Sequence, residues 1–215
     1  MDKNSQYYFE EKLIKNGCKI IAGLDEAGRG AWAGPLVAAA VVLKYRMRGL
    51  RDSKTLRASD RARLARRITA YAEVGIGIVE VADINANGLT WANQQAMLKA
   101  LHKLPLAPDH LLIDYIRLPK TSTPIPQTSI TDGDALSATI AAASIIAKAT
   151  RDELMVALHQ NNLELTEYYF HRNFGYGTRK HIEALKKLGP TIHHRNNYWP
   201  VARSRQMPLD LSQEN

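Results

Sequence analysis

The stretch IAGLDEAGRGAWAGPL, residues 21–36, places two adjacent carboxylates directly after an apolar run. The run predicts a strand, and Asp25 and Glu26 end it. Three glycines within seven residues then surround one arginine, Arg29. Neighbouring side chains on a regular strand point to opposite faces, so two acids together at the edge of a core need an explanation. A bent strand end would present both carboxylates, with nearby backbone, to a metal ion and a phosphate; a solvated turn is the simpler alternative.

The composition is that of a soluble globular protein with a basic surface. The 215 residues are 45% hydrophobic and 23% charged, enough for one compact domain with a sizeable core. Lys and Arg number 29 against 21 Asp and Glu, giving a formal charge of +8 and a pI near 9.6. This balance favours a polyanionic partner, nucleic acid first and an anionic membrane surface second.

Cysteine content and hydropathy indicate the cellular compartment in which the protein works. Cys18 is the only cysteine, which excludes an internal disulfide and a cysteine-based zinc site. The first residues, MDKNSQYYFEEKL, carry charges throughout and lack the apolar core of a signal peptide. The longest apolar run, Leu36–Leu43, is far shorter than the roughly 20 residues that span a bilayer. We therefore expect a cytoplasmic protein that does not enter a membrane.

Hydrophobic periodicity predicts a mixed α/β layer architecture. Expected strands cover residues 19–25, 36–43, 74–81, 110–114 and 128–130. Expected helices cover residues 5–16, 90–104 and 178–188, with another from about residue 59 and a long one after Ser137. The predicted N-caps are Thr90, Ser137 and Thr178, because these side chains accept hydrogen bonds from free backbone N–H groups. Residues 204–215 resemble a frayed tail.

Four carboxylates occupy the ends of predicted elements. Asp25 and Asp114 each end an apolar strand, Glu26 follows Asp25, and Asp134 lies just before the long helix. Acids at the edge of a core are costly unless they are paired or bind a metal. If they converge, they suit Mg²⁺ or Mn²⁺ and two-metal phosphoryl transfer. Taken singly, Asp134 is equally a helix cap, and Asp114 the start of a loop.

Two glycine-containing segments suggest contacts with a ligand. Gly28 and Gly30 allow backbone to approach a ligand closely, although the order of a phosphate-binding P-loop is absent. Tyr176 lies between glycines beside two basic residues, where its ring suits stacking on a base or sugar, or an ordinary turn. The run His193-His194-Arg195 predicts either a phosphate-contacting or a solvated turn. Lys54, in the sequence DSK, looks like part of a polar loop.

Taken together, these motifs resemble the ribonuclease HII family, the type 2 ribonucleases H. The resemblance covers roughly residues 19–201 in order, through GLDEAGRG, DSK, LLID, GDALSATIAAASIIAKATRDELM, GYGTRKHIEALKKLG and HHRNNYWPV. It implies a ribonuclease H-like fold, with a central mixed β-sheet flanked by helices and a C-terminal helical segment. The implied division is an N-terminal helix over 1–18, a catalytic core over 19–160, a substrate-binding segment over 161–201 and a tail over 202–215.

The resemblance also implies roles for individual residues. It assigns metal binding and catalysis to four carboxylates: Asp25, Glu26, Asp114 and Asp134. The backbone of Gly28, Arg29 and Gly30 would sense the 2′-OH at an RNA-to-DNA junction. Tyr176 would pack on the junction nucleotide, and Lys54 would contact a phosphate.

Several positions depart from the family pattern near these residues. Ala31 and Trp32 follow the glycine motif in place of Pro and Leu. Asp132 replaces a common lysine, and Tyr115 and Ile116 replace the usual Gly and Asn. Asn197 stands in for a DNA-contacting serine. The carboxylates and the glycine motif are intact, so we expect these changes to alter affinity more than activity.

The resulting hypothesis is a metal-dependent endoribonuclease that cuts the RNA strand of RNA–DNA hybrids. It would also cut on the 5′ side of a single ribonucleotide within duplex DNA, leaving 3′-hydroxyl and 5′-phosphate ends. A DNA-directed nuclease and a non-catalytic hybrid-binding module are the two alternatives. We expect a monomer.

Overall fold

A five-stranded mixed sheet forms the centre of the computed structural model, which describes residues 5–50 and 57–206. The strand order is β3-β2-β1-β4-β5. β1 pairs antiparallel with β2 and parallel with β4; β3 joins β2 antiparallel and β5 joins β4 parallel. The strands are β1 (Ile21–Ala27), β2 (Leu36–Leu43), β3 (Ala72–Val79), β4 (His110–Asp114) and β5 (Gln127–Ile130). This arrangement confirms the expected mixed sheet.

Helices cover both faces of the sheet. Before β4 they are α1 (Tyr8–Lys15), α2 (Ala58–Tyr71), α3 (Val81–Asn87) and α4 (Leu89–His102). After β5 they are α5 (Gly133–Leu136), α6 (Ala138–Asn161), α7 (Phe170–Asn173), α8 (Arg179–Leu188) and α9 (Trp199–Gln206), with a 3-10 helix over Leu163–Tyr168. None of the helices in the described part of the chain is long and apolar enough to cross a membrane.

Alternation along the strands separates two cores. Ala38 and Ala40 of β2 pack in the cluster with α4, whereas Ala39 and Val41 pack in the cluster with α2 and α6. Small residues let α6 lie directly on the sheet: a Cβ added to Gly23 would fall 2.1 Å from the backbone carbon of Thr139. A third cluster joins α6 to the C-terminal helices.

The N-terminal helix completes the start of α6. Ser137 caps α6 as predicted, accepting a hydrogen bond from the Ile140 N–H at 3.3 Å. The buried Glu10 of α1 accepts from the backbone N–H and the hydroxyl of Thr139, both at 2.9 Å. The Gln6 carbonyl accepts from the Ala138 N–H at 2.8 Å. The free N–H groups that begin α6 therefore find partners in Gln6 just before α1, in Glu10 of α1 and in Ser137.

Some boundaries differ from the prediction for local reasons. β3 ends at Val79, and the chain turns into the unpredicted helix α3. Gly88, with φ of 84°, separates α3 from α4, so Thr90 lies inside α4 and its predicted capping role is wrong. Thr178 does cap α8, accepting from the His181 N–H at 3.4 Å. α9 extends to Gln206, across the boundary at residue 202 expected for the tail, and its Val201 is fully buried.

Candidate active site

Three of the four predicted acids lie at the carboxyl ends of β1 and β4. β1 does not end at Asp25; it runs on to Ala27, with Asp25 opposite Ala39 and Glu26 opposite Ala38 of β2. The adjacent acids therefore project to different sides of the sheet. The Asp25 carboxylate meets the Ser144 hydroxyl of α6, while Glu26 lies towards α4.

Asp114 lies beside Asp25 on the neighbouring strand. The parallel register pairs Leu24 with Ile113, so the next residues are Asp25 and Asp114 on strands about 4.8 Å apart. Asp114 Oδ1 accepts a hydrogen bond from the Gly133 N–H at 2.8 Å. Asp134 follows Gly133 in the short helix α5 and is 8% exposed. The turn at Gly133 thus brings the fourth acid to the same edge of the sheet.

The clustered acids perturb one another. Burial, with smaller contributions from the charges of Glu26 and Asp114, raises the pKa of Asp25 well above its usual range. Burial also raises the pKa of Glu26; the guanidinium of Arg29 opposes this rise and the charge of Asp114 adds to it. Both shifts show that negative charge is unfavourable here without a cation.

The donor type fits a divalent cation, although the four side chains are not gathered around one point. Oε2 of Glu26 is buried and has no hydrogen-bond partner among the described residues. Carboxylate oxygens are the ligands that Mg²⁺ and Mn²⁺ prefer. Within residues 5–50 and 57–206, no three Asp, Glu, His or Cys side chains stand close enough to hold a metal as they are. Glu26 Oε1 instead lies 3.4 Å from Nη1 of Arg29.

The glycine-rich loop between β1 and β2, residues 28–35, is held by two fully buried arginines, Arg151 and Arg195. Arg195 Nη1 donates to the Gly28 carbonyl at 2.6 Å and to the Arg29 carbonyl at 3.2 Å. Its Nε and Nη2 donate to the Gly34 carbonyl, and Nη2 also reaches Pro35. The sequence does not predict this role, because an arginine beside two histidines resembles a surface turn. His194 and Arg195 are 0% exposed, so both expectations for that turn, phosphate-contacting and solvated, are wrong for them.

Arg151 links the loop to Tyr176. It donates to the carbonyls of Ala33, Pro35 and Phe174 at 2.9–3.0 Å. A Cβ added to Gly28, whose φ is 97°, would lie 2.1 Å from Arg151 Nε. The Arg151 guanidinium carbon also lies 5.2 Å from the centre of the Tyr176 ring. The buried Arg151 side chain therefore contacts both Gly28 and Tyr176, which are predicted to recognise the substrate.

A chain of histidine hydrogen bonds fixes the backbone at Tyr176. The Thr191 N–H donates to His194 Nδ1 at 2.9 Å, so His194 carries its proton on Nε2. That proton points at His181 Nε2, 3.0 Å away, and His181 Nδ1 then donates to the Tyr176 carbonyl at 3.0 Å. Every direction follows from the two backbone ends, and both rings are neutral. Burial lowers the pKa of His181, in agreement with this state.

The remaining predicted residues lie at the margin or outside the described chain. Gly30 is exposed, and a Cβ added there would meet no atom within 4 Å. Asn197 is exposed and precedes Tyr198, whose hydroxyl donates to the Arg29 carbonyl. Lys54 falls in residues 51–56, outside the described residues. The structure thus places the four acids at one edge of the sheet, and Arg151 joins Gly28 of the glycine motif to Tyr176.

Comparisons with known proteins agree with this architecture. Among solved structures, the ribonuclease H2 of Pyrococcus horikoshii OT3 matches 87% of this chain and 98% of its own, with a TM-score of 0.73 and 22% identity. The ribonuclease HII in a PCNA complex from Archaeoglobus fulgidus gives a TM-score of 0.71 at 24% identity, covering 88% of this chain and 98% of its own. These likenesses confirm the expected ribonuclease H-like fold.

Sequence comparisons identify the family. The Ribonuclease HII of Geobacillus kaustophilus (strain HTA426) is 45% identical over 196 residues, covering 90% of this chain and 73% of the relative. The Ribonuclease HII of Chlamydia pneumoniae is 42% identical over 92% of this chain and 91% of its own. The family model for Ribonuclease HII matches residues 22–199. The chain, with its acids and glycine-rich loop in place along that match, belongs to the ribonuclease HII family.

Proposed function

We propose that this protein hydrolyses the RNA strand of RNA–DNA hybrids and also cuts on the 5′ side of single ribonucleotides embedded in duplex DNA. Membership of the ribonuclease HII family supports endoribonuclease activity on hybrids. The observation that carries the finer proposal is that Arg151 contacts both Gly28 and Tyr176, directly after the end of β1 where Asp25 and Glu26 lie. The products would carry 3′-hydroxyl and 5′-phosphate ends.

Asp25, Glu26, Asp114 and Asp134 would hold the divalent metal, Mg²⁺ or Mn²⁺. Two bound ions would supply a water of lowered pKa and stabilise charge on the leaving oxygen. Asp25 and Asp114 on adjoining strands present oxygens to one side, and the raised pKa of Asp25, caused first by burial, supports a role for a cation there. Glu26 would exchange its contact with Arg29 for the cation. The Bst-RNase HIII structure, similar in fold with a TM-score of 0.66, is a complex with Mn²⁺.

The glycine motif would recognise the ribose. The Gly28 and Arg29 carbonyls are already held by Arg195, which fixes the path of the loop. The space beside Gly30 is open, so a sugar can approach its backbone closely. The 2′-OH would serve as a handle for recognition and not as the nucleophile, so no cyclic phosphate forms.

Tyr176 and two further residues would hold the flanking nucleic acid. The half-buried Tyr176 ring, fixed by Arg151 beneath it and Lys148 5.0 Å away, would pack on the junction nucleotide. We assign a DNA contact to Asn197 and a phosphate contact to Lys54. The enzyme would act as a cytoplasmic monomer without a membrane partner, and the charge of +8 favours such a polyanionic substrate.

A cleavage assay with two labelled duplexes tests the proposal. One duplex carries a single ribonucleotide and the other is all DNA; a long hybrid is run beside them. Wild type, Asp134→Asn and the control Asp83→Asn, an exposed acid of α3, are incubated with Mg²⁺, Mn²⁺ or chelator. We expect a metal-dependent cut 5′ of the ribonucleotide, lost by at least about 100-fold in Asp134→Asn and kept in the control.

Two other outcomes would replace the proposal. Equal cleavage of the all-DNA duplex would indicate a DNA-directed nuclease that does not read the 2′-OH. Binding without cleavage in either metal would indicate a hybrid-binding protein whose site no longer turns over.

A further inference from the structure

Tyr115, directly after Asp114, is exposed in a strained turn at the carboxylate edge, the edge of the sheet where Asp25, Glu26, Asp114 and Asp134 lie. Its side chain is 65% exposed and its φ is 60°. The Tyr115 N–H donates to the Ile130 carbonyl at 3.0 Å, and the Ile116 N–H donates to the Asp114 carbonyl at 2.7 Å. The second bond closes a three-residue turn with Tyr115 at its centre. Such turns with positive φ are rare and strained for residues other than glycine.

Packing within the protein does not explain why a tyrosine occupies this position. Three other non-glycine residues in the described chain have positive φ: Asp132, Tyr169 and Phe174. Asp tolerates that conformation through its short polar side chain. Tyr169 is 36% exposed with Lys180 over its ring, and Phe174 is half-buried against the C-terminal core. Tyr115 keeps most of its ring in solvent, so the strain is not balanced by burial.

Arg29 connects the Tyr115 ring to the acids. Its guanidinium carbon lies 6.0 Å from the ring centre, and its Nη1 lies 3.4 Å from Glu26 Oε1. Arg29 therefore reaches from the glycine-rich loop towards the turn after β4. Two pairs of an aromatic ring and an arginine therefore lie beside the glycine-rich loop. They are Tyr115 with Arg29 and Tyr176 with Arg151.

We propose that Tyr115 and Arg29 form a second stacking subsite, which binds a nucleobase of the substrate beside the acids. The inference rests on the proposed function, since it assigns a further contact to the same nucleic-acid site. Aromatic rings and guanidinium planes both stack on bases, and the exposed ring needs no rearrangement to do so. The Arg29 guanidinium already lies beside the ring, so it can contact the same base without a metal ion.

Replacing Tyr115 by glycine separates strain from binding. Gly adopts positive φ without strain, so Tyr115→Gly should keep or raise the melting temperature, by about 2–4 °C. The same variant should raise KM and the Kd for the ribonucleotide duplex by about 10-fold, with kcat nearly unchanged. Tyr115→Phe retains the ring and should restore both values. Tyr45→Gly is the matched control, an equally exposed tyrosine beyond the other end of the sheet.

A scan of abasic positions identifies the base that stacks. Kd is measured in chelator, so that the result does not depend on turnover. An abasic nucleotide at the stacked position should weaken binding by wild type about 10-fold and leave Tyr115→Gly unaffected, since the two losses are the same contact.

Three results would overturn the subsite. Unchanged Kd and KM in Tyr115→Gly, beside an active wild type, would remove the subsite and leave the proposed function standing. A fall in melting temperature with unchanged Kd would show that the ring only stabilises the fold. A wild type that neither binds nor cuts the duplex would reject the proposed function and the subsite together.

Discussion

Arg195→Lys should destabilise the protein strongly, because the guanidinium fork holds four backbone carbonyls in a fully buried place. Three of these carbonyls would keep another hydrogen-bond donor in the variant. The Gly28 carbonyl also accepts from the Ala31 N–H, and the Arg29 carbonyl from the Tyr198 hydroxyl. The Pro35 carbonyl also accepts from Arg151. The Gly34 carbonyl accepts from Arg195 Nε at 3.1 Å and Nη2 at 2.9 Å. Lysine offers a single ammonium in place of the fork.

The loss of stability in Arg195→Lys can be worked out from the hydrogen bonds that these carbonyls lose. An unsatisfied buried carbonyl costs about 1–3 kcal/mol, and the weakened charge-assisted bonds to the other carbonyls add about 1 kcal/mol. We expect the free energy of unfolding to fall by about 2–4 kcal/mol, a large fraction of the 5–15 kcal/mol typical of a domain. The melting temperature should fall by about 5–15 °C.

Urea unfolding followed by circular dichroism measures this change, with Arg172→Lys as control because Arg172 is exposed on α7. The control should stay within about 0.5 kcal/mol of wild type. Below its melting temperature, Arg195→Lys should also lose preference for the ribonucleotide duplex over all DNA, since the loop is no longer fixed. An unchanged urea midpoint in Arg195→Lys would refute the reasoning that Arg195 supports the loop.

Two further predictions concern the backbone of the same region. Gly28→Ala should cost about 2 kcal/mol or more, because its Cβ would meet Arg151 at a position with φ of 97°, whereas Gly30→Ala should leave the urea midpoint unchanged; equal midpoints would contradict the contact. The lowered pKa of His181 means that the unfolded state binds its proton more readily, so its contribution is complete above about pH 6.5 and declines as the pH falls below that value. The urea midpoint should therefore drop less between pH 7.5 and 5.5 in His181→Gln than in wild type, and an equal or steeper drop would argue against the neutral histidine pair.

Periodicity predicted most of the elements that position the site. The apolar strands that carry Asp25 and Asp114 were predicted, although β1 runs on to Ala27, and Ser137 correctly marked the start of α6. The short helix α3 was missed because its seven residues carry too little periodic signal and Gly88 interrupts the pattern.

The support of the loop was not predictable from local pattern. Arg195 and Gly28 are 167 residues apart, and nothing in the sequence around either one indicates that they meet. A buried arginine satisfied by carbonyls has no complementary acid to reveal it. The strained turn at Tyr115 was likewise invisible, because positive φ is ordinarily signalled by glycine.

The contact between α1 and the start of α6 has a consequence for how the chain folds. Glu10 and Thr139 are 129 residues apart, so this contact closes a very long loop. Contacts of such separation form late, after local helices and hairpins. The turn carrying Asp134 lies just before that helix start, so the docking of α1 helps to hold this turn in addition to its hydrogen bond with Asp114. During synthesis this contact would therefore form only after the start of α6 has been made, so we expect a shorter nascent chain to lack a competent metal site.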